Sequence, residues 1–188
     1  MNPAIIRLLD ILFSLIGLFF LFPALLVLYI AGLLDTGSPI FVQQRVGRNQ
    51  KQFFLVKFRT MRPQTESMPT HLVSAKSVTK FGSFLRRTKL DELPQLFNVL
   101  MGHMSLVGPR PNLPSQLELI EARERFGVYS VRPGITGLAQ VRRIDMSTPE
   151  LLAQTDAEML EKFSVHTYLR LIFDTIGGKG SGDRIREE

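Results

Sequence analysis

The stretch ILFSLIGLFFLFPALLVLYIAGLL, residues 11–34, carries no charged side chain. At 1.5 Å per residue it makes about 36 Å of helix, enough to cross the hydrocarbon core of a bilayer. Pro23 lies near its middle, where a missing N–H and a ring clash kink a helix. Two geometries follow. A straight span places the N-terminus outside, because Arg45, Arg48, Lys51, Lys57, Arg59 and Arg62 come soon after the run and mark the cytoplasmic side. A helix bent at Pro23 instead dips into one leaflet and returns, keeping Arg7 on the side of the basic domain. The residues leave both open, and either puts the soluble part in the cytoplasm. A cleaved signal peptide fits poorly, since the apolar run is too long and no small-residue cleavage site follows it.

Outside this run the composition narrows the partners. The 188 residues hold no cysteine and no tryptophan, so disulfides, thiolate metal sites and a cysteine nucleophile are excluded. A formal charge of +6 points to an anionic partner: nucleic acid, lipid head groups or a phosphorylated substrate. The length fits one ordinary domain plus an appendage. Three segments are expected: a membrane helix over 1–34, a cytoplasmic domain over 35–176 and a mobile polar tail over 177–188.

Following the chain, Ile40 to Gln44 and Gln52 to Phe58 are apolar runs separated by a Gly/Asn turn, which predicts a short hairpin. Lys57 and Arg59 bracket Phe58 and would project to one side. Residues 63–79 read as an exposed polar loop. Phe81, Phe84 and Leu85 oppose Arg86, Arg87 and Lys89 on an amphipathic helix fit for the core or a membrane interface. Asp91 then sits near a helix N-cap, with Pro94 in the first turn of a helix that runs to Leu100 and closes at Gly102. Both Asp91 and Glu92 would lie at the positive end of that helix dipole, which favours ionised carboxylates and attracts phosphate. Acidic residues at such positions are commonly just caps.

Gly108-Pro109-Arg110-Pro111 is a stiff turn that fixes where one guanidinium points. His103 reads as a helix-end residue. Ser115-x-x-Glu118 opens a helix to about Phe126, with Glu118, Glu121, Arg123, Glu124 and Arg125 as a solvated face. Pro133-Gly134 marks a turn, and Gly137 permits close backbone approach to a ligand. Thr148-Pro149-Glu150 starts a helix to about Phe163, and an apolar segment runs from Tyr168 to Ile176. Asp156 and Glu158 read as part of a solvated face.

Five blocks occur in order: Phe41-x-Gln43-x-Arg45-x-Gly47; Lys57-Phe58-Arg59-Thr60-Met61; Leu90-Asp91-Glu92-Leu93-Pro94-Gln95-Leu96-x-Asn98-Val99-Leu100; Ser105-Leu106-Val107-Gly108-Pro109-Arg110-Pro111; and Arg132-Pro133-Gly134-Ile135-Thr136-Gly137-Leu138-Ala139-Gln140-Val141. Together they resemble the bacterial sugar transferases, the small monotopic phosphoglycosyl transferases, over about residues 5–175. The resemblance implies a mainly α fold with a short β-hairpin. A re-entrant N-terminal membrane helix and interfacial amphipathic helices would surround a small cytoplasmic catalytic domain at the bacterial inner membrane.

It further implies transfer of a sugar-1-phosphate from a UDP-sugar to undecaprenyl phosphate, releasing UMP and starting assembly of a surface glycan. Asp91 would be the nucleophile that carries the phosphosugar, Glu92 a supporting acid–base or metal-related group, and Mg²⁺ the cofactor, with Asp91 as its ligand. Two positions depart from the family pattern. Tyr168 stands where an aspartate is common, and Phe22 precedes Pro23 where a small polar residue is common.

An anionic nucleophile approaching anionic phosphates needs positive charge around it. Lys57, Arg59, Arg86 and Arg110 are the first candidates for binding substrate phosphate, with Arg132 and Gln140 behind them. A carboxylate nucleophile gives an acyl phosphate, which can pass the group on in a two-step exchange. Adjacent residues on a helix point about 100° apart, which suits distinct roles for Asp91 and Glu92. A nucleic-acid adaptor lacks aromatic stacking motifs or a reading helix. A glycosidase needs carboxylates across a sugar ring rather than side by side. Amphipathic surface beside the membrane could serve a homodimer.

Overall fold

A computed structural model describes residues 3–63 and 77–180. Most of the expected loop over 63–79, and residues 181–188 of the expected tail, lie outside these residues.

The first helix, α1, runs Pro3–Thr36 and continues through Pro23 without ending there. It therefore starts before and stops after the uncharged run. Its buried side is a narrow stripe, Ile6, Asp10 and Ser14 in the first half and Leu28 and Gly32 in the second, at the four-residue spacing of one helix face. The opposite side exposes Leu8, Leu12, Leu15, Phe19, Phe20, Val27 and Leu34. Ile6 packs with Val107, Met159, Tyr168 and Leu171. Leu28 packs with Phe58 and Leu85. Both ends of α1 thus rest on the same folded body.

The predicted hairpin is present: β1 (Ile40–Val46) pairs antiparallel with β2 (Gln52–Phe58), Val42 opposite Val56. Its turn contains Asn49 and Gln50 at φ 54° and 59°, the left-handed region that the strand twist favours. α2 (Lys80–Thr88) buries Leu85 and is capped by Thr79, whose Oγ1 accepts from the Gly82 N–H at 2.8 Å. α3 (Gln95–Leu100) is held to β2 by Asn98, whose side chain accepts from the Val56 N–H and donates to the Phe54 carbonyl. One side chain here supplies the hydrogen bonds that a third strand would otherwise give.

A second sheet was not expected. β3 (Ser105–Val107) and β4 (Gly134–Thr136) form a short parallel pair, with Ser105 opposite Gly134. The two glycine motifs meet there. A side chain on Gly134 would come within 2.0 Å of the Gly108 nitrogen, and one on Gly137 within 2.4 Å of the Gly108 carbonyl oxygen. The close approach expected of Gly137 toward a ligand is spent on its own backbone neighbour.

Three further helices, α4 (Leu117–Arg125), α6 (Pro149–Glu161) and α7 (Val165–Ile176), complete the core, with a one-turn α5 (Leu138–Val141) after β4. The solvated face expected of α4 and α6 fails at two positions: Arg123 and Asp156 are each 1% exposed and face one another. Arg123 donates to Asp156 Oδ2 from Nε at 3.1 Å and from Nη2 at 2.7 Å. Buried charges persist where they are paired and hydrogen-bonded on several sides, and this pair is.

Candidate active site

Asp91 does not cap a helix. It lies in a 3-10 turn, Leu90–Glu92, one turn ahead of α3, and Pro94 rather than Asp91 takes the position before the helix. α3 is only six residues long, so the dipole argued from sequence is that of a short helix. Closure at Gly102 is as expected, with φ 84°.

The turn is set up by Lys89, whose φ of 59° ends α2 in the left-handed conformation and redirects the chain. For a residue with a Cβ that conformation costs about 1 kcal/mol, so the surrounding packing has to hold it. Leu90 and Leu93, on either side of the acidic pair, pack against the cluster of Leu28 of α1, Phe58 and Leu85. The turn that carries Asp91 is held there against α2 and β2, and Asp91 is 5% exposed.

Around the acids the charges are mostly positive. Arg110 donates from Nη2 to Glu92 Oε1 at 2.7 Å. The Leu90–Glu92 turn packs against β2, which carries Lys57. Lys57, Arg110, Arg45 and Gln95 line one cleft, with Pro111 and Gly134. Burial, followed by the like charge of Arg110, lowers the pKa of Lys89, while Glu92 opposes the shift.

The stiffness expected of the Pro109-Arg110-Pro111 turn has a further source. Arg123 Nη1 donates to the Arg110 carbonyl at 2.8 Å and to Asn112 Oδ1 at 2.9 Å, and Arg45 Nη1 donates to the Pro111 carbonyl at 3.1 Å. The buried Arg123–Asp156 pair thus fixes the backbone from which the Arg110 side chain reaches Glu92.

The remaining predicted residues divide. Lys57 and Arg59 both approach the Phe41 ring, at 5.7 and 5.4 Å, as their shared side predicted. Arg59 also donates to the Ser38 and Ile40 carbonyls, bracing the link between α1 and β1. Arg86 donates to Thr60 Oγ1 at 2.8 Å from α2, the helix that leads into Asp91. Gln140 Nε2 donates to the Ile135 carbonyl at 2.7 Å beside the glycine crossing. Arg132 lies elsewhere: its Nε donates to the Gly102 carbonyl, beyond the end of α3 opposite Asp91. His103 is a helix-end residue, its ring 5.8 Å from that of Phe53.

Sequence reasoning passed over Arg45, Gln95 and Arg123 as parts of this region. Arg45 and Gln95 stand inside the quoted blocks, and that placement was their signal. Arg123 sits in an ordinary-looking helical run. Among the described residues, no group of three or more acidic, histidine or cysteine side chains gathers to hold a metal. Asp91 and Glu92 still suit Mg²⁺, which is commonly held by one or two carboxylates and completed by water and substrate phosphate oxygens.

A family model described as bacterial sugar transferase matches residues 1–179. The chain belongs to the bacterial sugar transferase family. It is 36% identical to the exopolysaccharide production protein PSS of Rhizobium leguminosarum bv. phaseoli, over 94% of this chain and 95% of that one. It is 38% identical to the undecaprenyl-phosphate glucose phosphotransferase of Komagataeibacter xylinus, over 90% of this chain and 35% of that one. With the UDP-glucose:undecaprenyl-phosphate glucose-1-phosphate transferase of Xanthomonas campestris pv. campestris the identity is 37%, over 87% of this chain and 36% of that one. The chain therefore spans little more than a third of the length of these two sugar transferases. α1 is long and apolar enough to cross a membrane, and it is the member of this fold that suggests membrane association.

Proposed function

We propose that this sugar transferase moves a sugar-1-phosphate from a UDP-sugar to undecaprenyl phosphate, with Asp91 as the covalent carrier. The observation that carries the reading is the position of Asp91: a buried carboxylate between two leucines that share a cluster with Leu28 of α1, on a turn that packs on β2 and whose Glu92 is held by Arg110, which lines a cleft with Lys57 and Arg45. Such a location suits a nucleophile that has to meet both a lipid phosphate at the interface and a soluble nucleotide sugar. The names of the Xanthomonas and Komagataeibacter relatives support the acceptor, and the former names a UDP-sugar donor.

In the first half-reaction an Asp91 carboxylate oxygen bonds to the β-phosphorus, and the bond from that phosphorus to the bridging oxygen breaks. UMP leaves with the bridging electron pair. In the second, a phosphate oxygen of undecaprenyl phosphate bonds to the same phosphorus and the Asp91 carboxylate departs, giving a sugar-linked lipid diphosphate. Bound Mg²⁺ would neutralise charge on the phosphate oxygens, with Asp91 and Glu92 as its protein ligands. Lys57 and Arg110, with Arg86 behind them, hold the donor phosphates. Arg110 also orients Glu92, which moves protons for the incoming or departing phosphate.

The re-entrant reading of α1 is part of the proposal. Ile6 and Leu28 are about 33 Å apart along a straight helix, yet both pack on one domain. A helix standing across the bilayer would separate them by the membrane's thickness, so this supports a helix held to one side of it. The exposed Phe84 on α2 and Phe97 on α3 are then interfacial contacts, with the domain on the cytoplasmic face of the inner membrane.

The test uses the purified full chain with a panel of UDP-sugars and Mg²⁺, and no lipid acceptor. Intact-mass measurement should find the chain heavier by one sugar phosphate, with one UMP released per chain. An unmodified chain during sustained turnover with acceptor would overturn the covalent route.

A further inference from the structure

At the opposite end of α3 from Asp91 lies a cavity of about 410 Å³ that the proposed reaction does not use. Its volume falls within the range of small-molecule sites. Three guanidinium groups from three separate parts of the chain converge on it: Arg7 of α1, Arg48 of the hairpin turn and Arg132 ahead of β4. Each is anchored by backbone carbonyls. Arg7 donates to Val99 and Leu100 at 2.6 and 2.8 Å, Arg48 Nε to Ser130 at 3.0 Å, and Arg132 Nε to Gly102 at 2.8 Å. These bonds hold the side chains in place while leaving both terminal nitrogens of Arg48 and of Arg132 available for a ligand.

The three charges are opposed only in part by the Asp10 carboxylate, which acts on Arg7 and Arg132 through space. Among the described residues, no ion pair joins any of them to a carboxylate. Two acids line the cavity. Asp10 has its Oδ1 already accepting from Ser105, Leu106 and Tyr168, and Glu161 is exposed to solvent. Burial, then the like charges of Arg7 and Arg48, lower the pKa of Arg132 against a smaller opposing effect of Asp10, so the guanidinium groups repel one another and an anion would relieve that. The rest of the wall includes Ile6, Leu160 and Phe163. Ile6 and Arg7 sit on the same helix whose outer face is apolar and exposed.

We infer that this cavity is a second phosphate site, separate from the Asp91 centre, which takes the phosphate head group of an amphiphile between Arg7, Arg48 and Arg132 and lays its apolar part along Ile6, Leu160 and Phe163. Planar guanidinium forks match phosphate oxygens, and three of them around one cavity give a site for a doubly charged head group. The inference does not depend on the reaction at Asp91.

The same phosphate chemistry could come from a lipid or from solution, and a binding assay separates them. The full chain in a non-ionic detergent is titrated with dihexanoyl phosphatidic acid, inorganic phosphate and dihexanoyl phosphatidylcholine. Phosphatidic acid should bind wild type and Asp91→Asn alike, and about tenfold more weakly in Arg48→Gln, the loss expected for a charge-assisted hydrogen bond. Arg48→Lys, which keeps the charge, should bind more tightly than Arg48→Gln, and an unchanged circular dichroism spectrum would show that both variants fold. Tighter binding of phosphatidic acid than of inorganic phosphate assigns the lipid source; equal affinity keeps the three-arginine phosphate site and overturns the apolar contacts. Binding that ignores Arg48→Gln, that disappears in Asp91→Asn, or that phosphatidylcholine matches would overturn the inference.

Discussion

The Tyr168 hydroxyl donates a hydrogen bond of 2.8 Å to Asp10 Oδ1, joining α7 to the buried stripe of α1. Tyr168 and Asp10 are 0% and 1% exposed. Ser105 Oγ and the Leu106 N–H complete the acceptor's partners, each at 2.9 Å. Tyr168 therefore serves as a donor to a carboxylate on α1. An aspartate at the same place would set two acids against each other.

Tyr168→Phe keeps the ring and removes that one bond. It should lower stability by about 1–2 kcal/mol. Burial, then the Asp10 carboxylate, raise the Tyr168 phenol above its ordinary value of 10.0, so the folded chain keeps the proton that the unfolded chain releases. The stabilisation is present below about pH 10 and lost as pH rises beyond it. Chemical denaturation between pH 8 and 11 should show a shallower alkaline loss in Tyr168→Phe than in wild type. Equal slopes would dismiss the Tyr168 contribution.

Asp91→Asn should abolish both UMP release and the covalent adduct. Glu92→Gln should slow turnover by about 10²–10⁴-fold, the usual range for a missing acid–base group, and still give the adduct on prolonged incubation. Full activity of Asp91→Asn would end the nucleophile assignment.

Asp156→Asn leaves Arg123 buried without its counter-charge. It should cost about 3–5 kcal/mol, read as a lower thermal midpoint. The double variant Arg123→Met with Asp156→Leu should regain much of that stability, because the charged pair goes as a unit. It should nevertheless show a raised KM for the donor, since the Arg110 and Asn112 anchors are lost. A double variant with normal KM would mean that the network holds the core and does not position Arg110.

Natural absence of cysteine makes topology directly measurable. In Asn2→Cys, a membrane-impermeant thiol reagent added to intact cells should fail to label the chain and should label it after lysis. Labelling from the periplasmic side would establish a straight span.

The elements that carry strong local patterns were legible in the sequence: the apolar run of α1, the hairpin with its Gly/Asn turn, and α6 with Pro149 at its start. The misses share a physical cause. β3 and β4 are three residues each, too short for a period to appear, and they exist because Gly108, Gly134 and Gly137 let two backbones touch. Arg123 sits in a run of charges that any helical wheel would leave in water, and its burial is made tolerable by partners remote in sequence, Asp156 above all. The five blocks marked most of the cleft lined by Lys57 and Arg110, yet no local pattern could show that Arg132 stands at the far end of α3.

Clamping α1 at both ends has a mechanical consequence. A domain hung from a single span pivots on its linker, and the height of its side chains above the lipid varies with every swing. Here Leu28 is packed in the same cluster as Leu90 and Leu93, while Ile6 is fixed on the far side of the fold. The apolar helix acts as a datum line from which the position of Asp91 is gauged by packed side chains. Lengthening the chain between residues 36 and 40 would therefore leave that height unchanged, whereas trimming Leu25 and Leu28 to alanine would let it drift.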